Sequence, residues 1–424
     1  MTLKVCARCL YDEAHPLHLT FDEEGVCSGC LVHEEKDILD WEERFERLRR
    51  TVDDYRSRSG RTYDCIVPVC GARDSHFIVH TVKNRLGLNP LLVSYNKHYN
   101  TDLGIRNLAN LRMAFDCDLV QNTTSPATAK MVTRATMEAM GSIYWHILAG
   151  QTAFPVQTAV RMGIPLIIWG AHQGVDQVGM FSHLDAVEMN RRYRKEHDLM
   201  GWEAEDLSPA FPALGDYNLD AYVYPEDRDL AGVGVRGIYL NNYLRWDSKA
   251  QHEAMIEQFD YETGPQQRTF DTYSDIDCFH YAGVHDAIKE RKHGYGKALD
   301  HACREIRLRR LSRAQAAALV ARNRAVEPSD LPLLLAWLGI DEAALWSAVD
   351  RHRSPKAWRK RESGEFAPAG RAEPDAGRVE AARLSVQEAC EFCLTPSKTS
   401  HRRDDHYVLV GKGYVDPKSI ALTG

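Results

Sequence analysis

Four cysteines near the amino terminus carry the most specific chemical signal in the chain. "CARC" (Cys6, Cys9) and "CSGC" (Cys27, Cys30) are separated by seventeen residues. Two residues between thiolates let both sulfurs of a knuckle reach one ion. Two such knuckles complete a closed tetrahedral shell, the arrangement of a structural zinc site. An iron–sulfur cluster accepts the same ligand set and stays open as the alternative. Gly29, inside the second knuckle, eases its tight turn. A third pair, "CEFC" (Cys390, Cys393), is followed by His401 and His406. A second zinc ion in a Cys2His2 set is the metal reading there; the polar stretch "SHRRDDHY" is equally consistent with plain solvation.

The second chemical feature is "YDCIVPVCGARDSHFIVH", residues 63–80. A short apolar strand runs into Cys70-Gly71-Ala72-Arg73-Asp74-Ser75, and a helical pattern follows. Helix starts present unpaired N–H groups and a partial positive charge, which suits phosphate. Gly71 permits close backbone approach. Ser75 offers a hydroxyl, and Asp74 either caps the helix or faces Mg2+. Arg73 adds a phosphate contact or points to solvent. His98 and His172 stand near the same edge, where a histidine can move protons at neutral pH; the ordinary reading of both is a hydrogen-bonded, exposed loop residue. "RRYRKEH" (191–197) reads as a solvated helix face, with recognition of an acidic sugar carboxylate as the alternative.

These residues need a scaffold, and the pattern supplies one. Strand-like runs at 65–69, 90–95, 118–121 and 164–169 alternate with helical runs at 74–85, 103–115, 127–140 and 153–161. Such alternation predicts a parallel sheet with helices on both faces. Ligands then sit beyond the carboxyl ends of the strands, where 70–75, 96–99 and 170–174 fall. Residues 36–58 show one amphipathic helical period through Ile38, Leu39, Trp41, Phe45, Leu48 and Val52. Residues from about 284 to 351 read as helices, with a capping box at Ser312 and Gln315 and a cap at Asp341. The polar Gly/Pro/Ala stretch 362–377 reads as a mobile linker.

The chain has 424 residues, 44% hydrophobic and 27% charged, with formal net charge −7. Its length predicts two or three structural units. The negative charge argues against a nucleic-acid partner. No apolar run approaches the roughly 20 residues of a membrane span, and no secretory h-region is visible at the amino terminus. Eleven cysteines without an export signal favour metal binding over disulfides and a cytoplasmic setting.

Three segments, in order, carry a resemblance. The loop "CGARDS" is similar to the Ser-Gly-Gly-x-Asp-Ser loop of the PP-loop ATP pyrophosphatases. "RTFDTYSDIDCFHYAGVHDAIKERKHGYGKALDHACREIRLRRLSRAQAAALV" (268–320) resembles the carboxyl-terminal signature of the N-acetyl sugar amidotransferases, which serve lipopolysaccharide and nonulosonic acid biosynthesis. "CARCLYDEAHPLHLTFDEEGVCSGC" resembles that family's amino-terminal zinc module. The three together span residues 1 to about 352.

The resemblance implies an α/β fold: a parallel-sheet PP-loop domain, like the adenine nucleotide alpha hydrolases, with an amino-terminal zinc ribbon and a helical carboxyl-terminal region. The implied organisation is a zinc ribbon over 1–35, a connecting helix over 36–58, the ATP-binding domain over 59–250 and a helical part of the catalytic unit over 251–352. A linker over 353–378 and an extension over 379–424 follow. The implied reaction is adenylation of a substrate carbonyl with release of pyrophosphate, then displacement of AMP by ammonia. A separate glutaminase would supply the ammonia through a cyclase-like partner. Val69, Cys70, Gly71, Ala72, Arg73, Asp74 and Ser75 would hold the ATP phosphates. Ser94, Tyr95 and Asn96 would lie near adenine, and Gly170 would close the site.

In "HGYGKALDHACREIR", Lys297, Asp300, Arg304 and Arg307 fall on one helical stripe. With the resemblance, Lys297 and Arg304 join Asp74 as candidate catalytic groups that neutralise departing pyrophosphate. The alternative is a solvated face of internal ion pairs. Arg268, Tyr273 and Asp277 are further candidates. Two positions depart from the family: Cys70 replaces serine, a better donor, and Ala72 replaces glycine, which costs about 1–2 kcal/mol if its φ must be positive. Two other readings therefore stand beside the amidotransferase. One is a tRNA thiolase-like enzyme that transfers sulfur. The other is a nucleotide-binding scaffold subunit without catalysis.

Overall fold

The computed structural model describes residues 2–71, 74–271, 280–372 and 374. The sequence expectations at Ala72, Arg73, Tyr273, Asp277, Cys390, Cys393, His401 and His406 lie outside the described residues.

The chain opens with β1 (Leu3–Lys4), α1 (Ser28–Glu35) and α2 (Trp41–Asp53). The α/β core follows as β2 (Cys65–Pro68), α3 (Ser75–His80), β3 (Pro90–Tyr95), α4 (Asp102–Ala114), β4 (Leu119–Asn122), α5 (Pro126–Met140), α6 (Trp145–Met162), β5 (Leu166–Trp169) and β6 (Arg236–Tyr239). The strands form one sheet in the order β4-β3-β2-β5-β6, parallel throughout.

Strand periodicity of two divides the apolar residues between faces. Cys65, Val67, Leu92, Leu166 and Ile168 pack on one side with Leu48, Val52 and Leu111. Ile66, Leu91, Val93 and Ile167 pack on the other with Ala153, Phe154 and Val156 of α6. A parallel sheet buried on both faces is the expected outcome of such runs. The strand order reverses at β2: β3 and β4 lie to one side, β5 and β6 to the other. Such a switch point leaves a crevice beyond the carboxyl ends of β2 and β5.

Helix starts follow their caps. The Thr101 hydroxyl accepts the Gly104 amide at 3.1 Å, and Asp40 accepts the Glu42 and Glu43 amides. The box at Ser312 and Gln315 is formed, and Asp341 caps the helix Glu342–Asp350. Some expectations change. The helix expected over 36–58 covers only Trp41–Asp53, because Asp40 starts it afresh; Ile38 lies before it and is 83% exposed. The run expected at 153–161 is an 18-residue helix whose start at Tyr144 has no side-chain cap. The fifth strand, "RGIY", follows a glycine-broken segment and has no periodic signal of its own. Helix α3 passes into a π-turn, Thr81–Arg85.

The expected linker over 353–378 is partly folded. Strands β7 (Trp358–Lys360) and β8 (Phe366–Pro368) make an antiparallel hairpin, with the Arg353 guanidinium over the rings of Trp358 and Phe366. Strand β9 (Arg371–Ala372) then pairs in parallel with β1. The carboxyl-terminal helices Ala282–His293 and Lys297–Arg307 pack back on the cysteine-rich module through Tyr295, Leu299 and Cys303. Among the described residues, no single helix is long and apolar enough to cross a membrane.

Candidate functional site: a metal cluster and the switch-point turn

The sulfurs of Cys6, Cys9, Cys27 and Cys30 lie within 4.8 Å of one another, and all four residues are buried. Cys9 Sγ and Cys27 Sγ are 3.6 Å apart; four sulfurs at the Zn–S distance of about 2.3 Å sit roughly 3.8 Å apart. The amides of Arg8, Cys9 and Cys27 point at Cys6 Sγ. Burial pushes the Cys9 and Cys30 thiols upward, so four thiolates at neutral pH require a cation among them. The donor set and spacing therefore fit a tetrahedral, structural zinc ion with no open position.

Arg307 completes this site from the helix Lys297–Arg307. Its Nε donates to Cys30 Sγ at 3.4 Å, its Nη2 faces Cys27 Sγ at 3.8 Å, and its Nη1 donates to the Gln177 carbonyl at 2.5 Å. Asp300, on the same stripe, accepts from Tyr11 Oη at 2.7 Å and pairs with Lys289 at 2.5 Å. Arg304 pairs with Asp271 and with Glu305 at 2.8 Å. The stripe predicted from sequence is real, but it is mostly an interface. Asp300 and Arg307 bind the cysteine module, and Arg304 is matched by two carboxylates rather than exposed to a phosphate.

Lys297 behaves differently. It opens that helix, with its amide bonded to Asp286 Oδ1 at 2.5 Å, and its side chain carries no such pairing among the described residues. Burial, with Lys289, Lys292, Lys297 and Lys97 adding to it, pushes His285 down to about 3. That ring stacks on Tyr144 at 4.5 Å, and the Tyr144 hydroxyl lies 3.4 Å from Lys97 Nζ. Lys297 and Lys97 thus both act electrostatically on one neutral histidine of the helix Ala282–His293. Lys97 escaped the sequence reading; its only signal is a lysine two residues past the end of a core strand.

The turn after β2 occupies the switch point. Val69 is buried, and its amide binds the Val93 carbonyl at 2.9 Å. The Cys70 amide donates to Ser75 Oγ at 3.0 Å, so the hydroxyl offered to phosphate closes the turn on itself. Gly71 is needed for close approach, as expected, but to protein: a Cβ there would strike the Gly104 carbonyl. Asp74 precedes α3 without a side-chain cap. Its Oδ1 lies 3.4 Å from His252 Nε2 and has no hydrogen-bond partner among the described residues. A carboxylate oxygen at this turn with a histidine nearby but no hydrogen bond among the described residues suits a hard cation such as Mg2+.

The other predicted residues fall around this turn. Ser94 and Tyr95 are buried at the end of β3. Tyr95 Oη contacts Tyr222 Oη at 3.1 Å and Thr124 Oγ1 at 3.3 Å. Asn96 Oδ1 accepts from the His98 amide and from Asn100 Nδ2, which shapes the loop. His98, at φ +57°, contacts Thr124. Gly170 packs against Ile78 of α3. Arg268 is committed to Asp286, Glu290 and two carbonyls.

The run 191–197 is not simply solvated. Arg191 and Arg194 both bind Glu203, and Tyr193 and Arg194 are buried. His172 is likewise buried, 2% exposed, rather than an exposed loop residue.

Comparison with known proteins adds two findings. Residues 267–369 match the family described as LPS biosynthesis protein WbpG-like, C-terminal domain. The matched stretch runs from the Arg268 segment through the hairpin β7–β8, so the hairpin belongs with the helices before it. The match fits a role in lipopolysaccharide or sugar biosynthesis. In addition, 118 residues are 24% identical to the uncharacterized protein MJ1599 of Methanocaldococcus jannaschii, covering 27% of this chain and 41% of that protein. The chain thus matches about two fifths of that relative's length.

Proposed function

We propose that the protein is an ATP-dependent amidotransferase of sugar biosynthesis. A carbonyl or carboxyl oxygen of an N-acetyl sugar or related small acid attacks the α-phosphorus of ATP. The bond to the β-phosphate breaks, and pyrophosphate leaves. Ammonia then attacks the activated carbon, loses a proton, and AMP departs with the former acceptor oxygen. The observation that carries this reading is the match of residues 267–369 to a lipopolysaccharide-biosynthesis domain.

In this reading, 69–75 hold the phosphates, with the start of α3 favouring negative charge. Asp74 holds Mg2+, which when bound neutralises charge on the departing phosphates. Ser94, Tyr95 and Asn96 line the adenine side, and Gly170 borders the β5 side. Lys297, with Lys97, offers positive charge to pyrophosphate as it leaves. Arg304 positions the helix carrying Lys297 through Asp271. A glutaminase and a cyclase-like subunit supply ammonia.

A second reading, the non-catalytic nucleotide-binding subunit, draws on the closed turn: the Cys70 amide is spent on Ser75, and Gly71 is packed against Gly104. Pyrophosphate release separates the two. With ATP, Mg2+, ammonium and N-acetylated sugar acids, the amidotransferase releases pyrophosphate and Asp74→Asn lowers the rate at least a hundredfold. ATP binding with no pyrophosphate under any of these conditions overturns the amidotransferase in favour of the scaffold.

A further inference from the structure

A cavity of about 170 Å³ opens beyond the carboxyl ends of β5 and β6, on the side of the phosphate turn away from β3. Its wall is aromatic. Trp169 and Tyr239, paired as the last residues of β5 and β6, have rings 6.5 Å apart and 28° from parallel. His172 meets Tyr239 edge-on at 4.7 Å and lies 4.3 Å from Tyr193. Tyr224 and Asp198 complete the lining that matters.

Polar side chains share this lining with the aromatic rings. His172 Nδ1 accepts the Gly174 amide at 3.1 Å, so the neutral ring bears its proton on Nε2. Burial pushes the ring down to about 4, which keeps it neutral near pH 7 and lets it serve as one more aromatic face. Thr152, Asn190 and Asp198 line the same cavity. Aromatic faces beside polar side chains suit a ring with an apolar face and hydroxyls at its rim.

Size narrows the occupant. An apolar cavity of about 150 Å³ holds benzene, so this one suits a single six-membered ring and is too small for a nucleoside. Neighbouring strands are about 4.8 Å apart, so β5 sets the cavity roughly one strand from the turn after β2. A substituent on the ring can therefore reach a phosphate held there.

We propose that this cavity is the acceptor subsite and takes one hydroxylated six-membered ring, a monosaccharide unit. The ring lays its C–H face on Trp169 and Tyr239, with the rings of His172 and Tyr193 beside it. Asp198 accepts from a ring hydroxyl. The proposal rests on the amidotransferase reading above for what is done to the sugar, but binding is measured apart from turnover.

The test is saturation-transfer NMR on the full chain with N-acetylglucosamine and its uronic acid, with adenosine as competitor. Mg-ATP binding is measured on the same samples. The expected result is saturation of ring and acetyl protons, unaffected by adenosine and weakened at least tenfold in Trp169→Leu and His172→Gln. Arg192→Ala, on the surface, should leave it unchanged. Asp198→Asn, nearly isosteric, replaces either variant that fails to fold and is expected to weaken binding threefold or more. Three results overturn the assignment: no sugar signal, a signal indifferent to the variants, or displacement by adenosine. If ATP binds while the sugar ignores the variants, the cavity assignment alone fails. If the sugar behaves as expected while ATP is neither bound nor cleaved, the amidotransferase reading fails and the sugar site stands.

Discussion

Arg307 sets its Nε 3.4 Å from Cys30 Sγ across 277 residues of sequence. A zinc ion with four thiolates carries a net charge of −2, and the buried guanidinium offsets half of it. The same guanidinium also holds the Gln177 carbonyl, so it joins the metal module, the loop after β5 and the carboxyl-terminal helix. Replacing Arg307 by Met leaves thiolate charge buried and uncompensated, which costs about 3–5 kcal/mol. Zinc itself stays, because all four ligands remain. Denaturant unfolding together with a zinc assay after thiol release should show a large loss of stability at an unchanged ratio of zinc to chain.

Cys303 provides a sharper test of the ligand set. It is fully buried in the same cluster, and its thiol interacts with Cys9, yet the four mutually close sulfurs do not include it. Cys303→Ala should therefore retain zinc, with a stability loss of about 1–2 kcal/mol from the small cavity. Cys9→Ala should lose zinc and unfold the module, since metal affinity and folding are linked at such sites. Elemental analysis of the two purified variants distinguishes a ligand from a neighbour.

These tests also show what was legible in the sequence. The knuckle spacing defined the four ligands, because two-residue gaps impose local geometry. The parallel sheet followed from alternating apolar runs, and the caps at Ser312 and Asp341 marked helix starts well. Arg307 lay on the predicted stripe, but spacing within a helix does not reveal what the stripe faces. The aromatic cavity was invisible for a related reason. Trp169, His172, Tyr193, Asp198 and Tyr239 meet only because β5 and β6 are neighbours, and "RGIY" gave no strand period to announce that. The hairpin β7–β8 was hidden by its Gly/Pro-rich composition; Arg353 between Trp358 and Phe366 is what orders it.

Asp198 predicts a pH dependence of stability. Burial pushes its carboxyl up to about 7 from an ordinary 3.8, with Arg194 opposing the shift. His172, Tyr193 and Tyr239 face it and stay neutral near pH 7, since burial lowers the histidine and raises both phenols. Between pH 4 and 7 the folded chain holds a proton that the unfolded chain has released. This contribution to stability is thus fully present below pH 4, falls as pH rises to about 7, and is flat beyond. Asp198→Asn should remove that slope and stabilise the protein at pH 8 by at most about 4 kcal/mol. Urea midpoints at pH 5 and pH 8 for both proteins measure the difference; an equal midpoint shift for the two would refute it.

Gly71 tests the turn itself. A Cβ on Gly71 would overlap the Gly104 carbonyl, and that carbonyl belongs to the first turn of α4, which the Thr101 cap fixes. Backbone cannot swing aside as a flexible side chain does, so Gly71→Ala has to displace either α4 or the turn after β2. Overpacking of this kind costs about 1–3 kcal/mol. Thermal unfolding registers that cost whatever the protein binds. A fluorescent ATP analogue reads the functional part: if 69–75 hold phosphate, the displaced turn should weaken the analogue at least tenfold while N-acetylglucosamine binding beyond β5 and β6 is unchanged. Equal loss of both ligands would mean the substitution disturbs the sheet edge as a whole, and undiminished analogue binding would place the nucleotide elsewhere.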